Sequence, residues 1–140
     1  MRVILLIMIG LSLLQADFTK TGDIVKDSVS GLEFQDDAVG SKMKWETSIS
    51  YCEALTFGGY SNWRLPNINE LKSIVDRSRR NPAIVDVFTN TSSNRYWSST
   101  TYEGYRNDAW IVGFGNGFVG SSSKGSKSSS YYVRCVRDGQ

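Results

Sequence analysis

The sequence predicts an α+β domain in which two helices pack on antiparallel sheets and a long-range disulfide closes the fold. Three observations carry this: two helical apolar stripes in the first half, alternating strand-like runs in the second, and a cysteine in each half. The two cysteines, Cys52 and Cys135, are the only ones in the chain.

The first residues stand apart from the domain. Met1-Arg2 precedes the unbroken apolar run VILLIMIGLSLL and then Gln15-Ala16-Asp17, the pattern of a secretory signal peptide. Residues 1–16 are read as that leader and 17–140 as one domain. The alternative is a retained anchor, but the run is shorter than the ~20 residues that a bilayer core requires. Leu14 is large for its place before a cut after Ala16, so export is better marked than the cleavage point. Export implies periplasm or cell surface, and no stable membrane span is expected once the leader is removed.

Composition narrows the chemistry. The 16 Lys and Arg nearly balance 14 Asp and Glu, and losing Arg2 with the leader leaves about +1, a balance that does not point to nucleic acid. Histidine is absent. That removes the usual neutral-pH general base, the Ser-His and Cys-His pairs and the commonest zinc ligand. In an exported chain two cysteines are expected to bridge, here closing a loop of roughly 84 residues worth about 4.5 kcal/mol by the chain-entropy argument. A thiol pair kept for redox or metal chemistry is the alternative, and it lacks both a CxxC spacing and a histidine.

FTKTGDIVKD and SGLEFQDD read as two short strands with Ser28-Val29-Ser30-Gly31 as the turn between them. In SKMKWETSISYCEALTFGG, Trp45, Ile49, Cys52 and Leu55 recur at helical spacing and place Cys52 on the core face. Gly58 suits the left-handed position that ends a helix. Asn67-Ile68-Asn69-Glu70 has the form of a capping box behind Pro66. Ile68, Leu71, Ile74 and Val75 form the stripe of a second helix that fades between Asp76 and Arg80. Trp63-Arg64-Leu65-Pro66 joins the glycine turn to that cap, with Trp63 expected to be packed and Arg64 bonded to carbonyls or a carboxylate.

From Tyr96 the period changes to two. YWSSTTY, DAWIVGFG and YYVRCVR read as strands, Gly115-Asn116-Gly117 as a hairpin turn and SSSKGSKSSS as a flexible loop. Trp110, Val112 and Phe114 are expected on one face, with Val133 and Cys135 sharing another.

This order of elements resembles the C-type lectin-like fold, in which a helix cysteine is tied to the last strand. More narrowly, GGYSNWRLPNINELKSIVD, RYWSSTTYEG, DAWIVGFGNG and YYVRCVR are similar to motifs of the bacterial family named after the C-terminal domain of the Legionella collagen-like adhesin. The likeness runs from about Gly31 to Arg137. It implies a non-catalytic, exported module: the namesake binds sulfated glycosaminoglycans, and related domains scaffold variable recognition. No Gly-X-Y repeat occurs in this sequence, so the namesake's trimerisation is not carried over. Phe34 stands where the family usually shows Trp, a change expected to be structural.

The stretch from Thr89 to Tyr132 is rich in Ser, Tyr, Gly, Asn and Thr, a composition suited to adaptable polar contacts on a rigid scaffold. Tyr102, Tyr105, Arg106, Asn107 and Asp108 in one loop, and Lys124 and Lys127 in the Ser-rich loop, are the candidate contacts for carbohydrate. The same loops could equally be plain connectors. Arg77, Arg79 and Arg80 form the densest basic cluster and are candidates for a sulfated glycan. Their competing reading is structural, as cations favouring the end of the second helix.

Calcium-dependent sugar binding needs several oxygens converging on one ion, and the Glu-Pro-Asn signature is missing. Asn107-Asp108 matches only part of Trp-Asn-Asp, since Arg106 precedes it. No cofactor and no metal are therefore expected. A structural or protein-binding domain of the envelope is the competing function. Catalysis is not expected, because the lectin-like formylglycine-generating enzymes use a cysteine pair that this chain would commit to a bridge.

Overall fold

In a computed structural model, residues 17–123 and 129–140 are described; the predicted leader, Lys124 and Lys127 lie outside these residues. Strands β1 (Phe18–Thr21) and β2 (Ile24–Asp27) form a tight hairpin, and β3 (Leu32–Gln35) pairs with β2. The first predicted strand is thus two strands, divided at Gly22-Asp23. The expected turn at residues 28–31 stands, and the Asp27 side chain accepts from the Val29 amide within it.

Helix α1 (Trp45–Ala54) turns Cys52 fully inward, as its spacing predicts. It ends earlier than Gly58. Leu55 is already extended, and Gly58-Gly59 instead form a two-residue turn, at φ 62° and 83°, between the mutually bonded Phe57 and Tyr60. Two successive positive φ values are the requirement of a type I′ hairpin turn, which glycine meets without strain.

Helix α2 (Ile68–Lys72) begins with both halves of the capping box: the Glu70 amide donates to Asn67 Oδ1 at 2.8 Å, and the Asn67 amide donates to Glu70 Oε1 at 2.9 Å. It is shorter than its apolar stripe suggests. Leu71 and Ile74 are both buried, but residues 74–76 leave the helix to bond with residues 83–85 through Val85 N to Ile74 O and Asp76 N to Ala83 O. Cross-chain pairing outweighs the local period here.

Strands β4 (Arg95–Thr101), β5 (Asp108–Gly113) and β6 (Phe118–Ser123) make a three-stranded antiparallel sheet. The last strand, β7 (Val136–Asp138), is shorter than YYVRCVR and joins the first sheet, giving the order β1-β2-β3-β7. Tyr131 and Tyr132 make only isolated bridges, to Met43 and Tyr96.

The β4-β5-β6 sheet has core on both sides. Tyr96 and Val112 belong to one cluster with Phe34, Leu71, Ile74, Phe114 and Val136, while their neighbours Trp97 and Ile111 belong to another with Cys52, Trp63, Leu65 and Cys135. Val112 and Phe114 do share a cluster; Trp110 joins neither and packs instead on Tyr102. Val133 packs against the cluster holding Cys135, as expected. Phe34 is fully buried and meets Phe88 edge-on at 6.0 Å, a core position.

The Cys52–Cys135 bridge is formed, with Cα atoms 5.5 Å apart. It ties α1 to the segment entering β7. Beside it, Trp63-Arg64-Leu65-Pro66 acts as a second tie. Trp63 is buried and donates its indole N–H to Phe57 O, while Arg64 pairs its backbone with Val136. The Arg64 guanidinium grips both Glu70 oxygens at 2.6 and 2.7 Å and reaches Asp138 at 2.8 Å.

Candidate functional site

Hydrogen-bond register fixes where the candidate residues stand. In the three-stranded sheet Arg95 pairs with Gly113 and Gly113 with Phe118 at one end, while Thr101 pairs with Ala109 and Asp108 with Ser123 at the other. At about 3.4 Å per residue, β5 separates these ends by roughly 17 Å. The candidate residues from the sequence therefore divide between two places.

At the Asp108 end the β4–β5 loop folds back on itself. Tyr102 N donates to Asp108 O at 2.8 Å and Asp108 N to Tyr105 O at 2.9 Å. The Tyr102 ring stands edge-on to Trp110 at 5.0 Å and leans over Gly104, where a Cβ would lie only 2.8 Å from it. Tyr102 and Asp108 are half-buried, and Tyr105, Arg106 and Asn107 face solvent. None of its residues lines the groove at the other end of the sheet.

At the Gly113 end lies an open groove of about 590 Å³. Arg80 and Asn81 form one wall, Ser93, Asn94 and Arg95 lead into β4, Asn116 lies in the β5–β6 turn and Phe118 follows it. Of the predicted basic cluster only Arg80 reaches this groove. Arg77 borders a second recess with Asn116, Gly117, Phe118 and Val119. Arg79 is exposed beside Asp76, whose carboxyl is held below its usual range by the Ser78 hydroxyl and amide, with a smaller contribution from Arg79.

The helix-end reading of the basic cluster is overturned. Helix α2 stops at Lys72, well before Arg77, and a helix dipole acts only within the last turn.

The groove is built by close backbone approaches. Asn81 N donates to Gly115 O at 2.9 Å, Ala83 N to Phe114 O, and Phe114 N to Asn94 O at 2.9 Å, locking the 81–83 and 93–94 segments to the turn. Gly117 has φ 82°, and a Cβ there would lie 2.8 Å from Val75 and 3.1 Å from Arg77. No larger residue fits both demands.

No carboxylate among the described residues lines the groove. Among the described residues Arg80 has no hydrogen bond or ion pair, and Arg95 makes one side-chain hydrogen bond, to the Tyr131 hydroxyl at 3.3 Å, with its guanidinium 5.8 Å from that ring's centroid. The asparagines keep free groups as well: Asn94 donates from Nδ2 to Ser92, leaving Oδ1, and Asn116 accepts at Oδ1 from the Phe118 amide, leaving Nδ2. The arrangement offers donors to an anion, an aromatic face and neutral amide contacts.

The frame arginines are arranged otherwise. Arg134, almost fully buried, donates to Gln35 O, Asp36 Oδ1, Asn90 O and Thr91 Oγ1 at 2.7 to 2.9 Å and lies over the Phe88 ring. Asp36 also accepts from Lys20 and from the Thr89 and Asn90 amides. Burial alone would raise its carboxyl, but the Lys20 and Thr89 bonds and Arg134 outweigh burial and hold it below its usual range. Arg137, equally buried, bonds Asn62, Glu33 and Gln140 O and stacks 3.5 Å from the Tyr60 ring centroid.

Arg95, Asn81, Asn94, Asn116 and Phe118 were not distinguishable in the sequence as site residues. Their convergence depends on strand register, which no local pattern displays. Among the described residues no group of three acidic or cysteine side chains is placed to hold a metal ion, and no described helix is long and apolar enough to cross a membrane.

No curated protein matches the chain. The family model of the Lcl C-terminal domain matches residues 23–137, from the start of β2 through the disulfide to β7. By that match over most of its length, the chain belongs to the Lcl C-terminal domain family.

Proposed function

We propose that this protein is an exported, non-catalytic binding module that recognises carbohydrate, above all anionic glycan, on a lectin-like scaffold. The observation that carries the reading is the carboxylate-free groove at the Gly113 end, where Arg80 and Arg95 stand with donors unfilled beside an exposed Phe118. Guanidinium forks match carboxylate and sulfate groups in planar, bidentate geometry. An aromatic ring and a few amides around such a fork are the usual means of fixing a small polar ligand's orientation.

Membership of a family of secreted, adhesin-like domains supports export and surface recognition. The fold supports the lectin-like reading through two features: the helix-to-last-strand disulfide and the Arg64 clasp that joins the α2 cap to β7. Both hold the loops of the strand-rich half on a fixed base. A glycan array on the oxidised domain from residue 17 tests the reading, set beside a pull-down from the cell envelope. Retention of acidic glycans over neutral ones is the expected outcome. A protein partner without glycan signal would overturn it in favour of an envelope interaction domain.

A further inference from the structure

We propose that Gly113 is the floor of a subsite for one acidic pyranose residue, held between Phe118 and Arg95; this deepens the glycan reading above and rests on it. Arg95, Gly113 and Phe118 occupy directly paired positions on three adjacent strands, so all three lie on one face of the sheet. With strands about 4.8 Å apart, the Cα atoms of Arg95 and Phe118 are roughly 10 Å apart. Bare backbone lies between them. That gap is the width of a single sugar ring with one substituent.

Neither backbone conformation nor room for a Cβ demands glycine at this point. Its φ is not positive, and an added Cβ would meet only Phe118 Cβ and O, at an ordinary 3.8 Å. Gly115 and Gly117 differ: a Cβ would press on Ser93 O at 3.2 Å in the first and on Val75 in the second. The other positions of β5 on this face, Ala109 and Ile111, carry buried side chains. A strand glycine without a backbone or packing demand marks a place where something else approaches closely.

Phe118 is held ready for that approach. A Cβ on Gly120 would fall 2.5 Å from its ring, so the ring lies along β6 over a second bare position while 57% of the residue stays exposed. The apolar face of a pyranose can stack there. Its anionic substituent then points across β5 to Arg95 and Arg80, and its hydroxyls reach Asn94 Oδ1 and Asn116 Nδ2. A ring carboxylate and a sulfate ester share this chemistry.

The test is calorimetric titration of the oxidised chain with trigalacturonate, a sulfated trisaccharide and neutral galactotriose, with amide NMR shifts recorded alongside. One acidic ligand should bind at least about tenfold more tightly than galactotriose and shift the Gly113 and Phe118 amides. Gly113→Val should weaken it by about tenfold or more while the melting temperature holds, and Phe118→Ala, at an exposed position, should do the same. Whether trigalacturonate or the sulfated sugar shows this behaviour identifies the anion. Binding indifferent to both substitutions but lost in Tyr105→Ala with Arg106→Ala overturns the subsite and leaves glycan recognition standing. Absence of binding by any glycan overturns both.

Discussion

Arg134 and Arg95 are the same side chain used in opposite ways. At the junction of β3 with β7 Arg134 gives both terminal nitrogens to four protein oxygens, and at the mouth of the groove Arg95 meets one tyrosine, by its hydroxyl and its ring. The frame pairs its buried cations with carboxylates, Arg134 with Asp36 and Arg137 with Glu33, because a buried, unpaired charge would cost several kcal/mol; of the Arg134 donors only Nε is left without a partner among the described residues. The groove has no such need, since its arginines keep access to water. The difference teaches where to look for recognition: at cations whose donors the fold leaves unfilled, and not at the most conspicuous basic run in the sequence.

The largest effect should come from opening the frame. Replacing Cys52 and Cys135 by serine releases a loop of roughly 84 residues and should lower stability by about 4.5 kcal/mol, read by denaturant unfolding of the oxidised and reduced protein. If reduction leaves the midpoint unchanged, the frame is held by its polar network alone, and the contrast with the groove rests on that network.

Arg134→Ala should follow, at about 3 kcal/mol, because Asp36 stays buried with one of its two cationic partners removed. This network and the Arg64 clasp each hold a carboxylate that sets a pH dependence. The folded-state carboxyls of Asp36 and Glu70 both lie below their ordinary values, burial being outweighed for Glu70 by Arg64 and the Asn67 amide. Their contribution is therefore complete above the unfolded values near 4 and is lost as pH falls through the lower folded ones. Unfolding free energy should drop between pH 7 and pH 3, and the drop should be smaller in Asp36→Asn. An unchanged drop would mean that other carboxylates carry the acid sensitivity.

This division also explains what was legible in the sequence. Asn67 and Glu70 announce their reciprocal bonds because a capping box is a contact over three residues, and Cys52 announces its orientation through helical spacing. Arg64 was readable as a carboxylate partner, though Asp138, 74 positions away, was not. The basic run at residues 77–80 was visible, yet only the fold shows that α2 ends at Lys72 and that Arg80 lines the same groove as Arg95. The groove draws its residues from three segments, 80–81, 93–95 and 113–118. Its geometry follows from register and from the pairing of residues 74–76 with 83–85, both long-range properties.

The smallest effect on stability, and the sharpest on binding, is expected from Arg79→Glu with Arg80→Glu. Both positions are exposed, and Arg80 makes no bond among the described residues, so the folding free energy should move by no more than about 0.5 kcal/mol. Retention on immobilised heparin, by contrast, should fall, and in the unaltered protein it should weaken steeply with salt, as exposed charge contacts do. Separating the pair refines the contrast. Arg80→Glu alone should account for most of the loss, because Arg80 lines the groove, whereas Arg79 lies beside Asp76, where a carboxylate already answers part of its charge. Equal losses from either single substitution would mean that a diffuse basic surface holds the polyanion and that the groove contributes nothing of its own; passage through the column at low salt without retention would remove polyanion binding altogether.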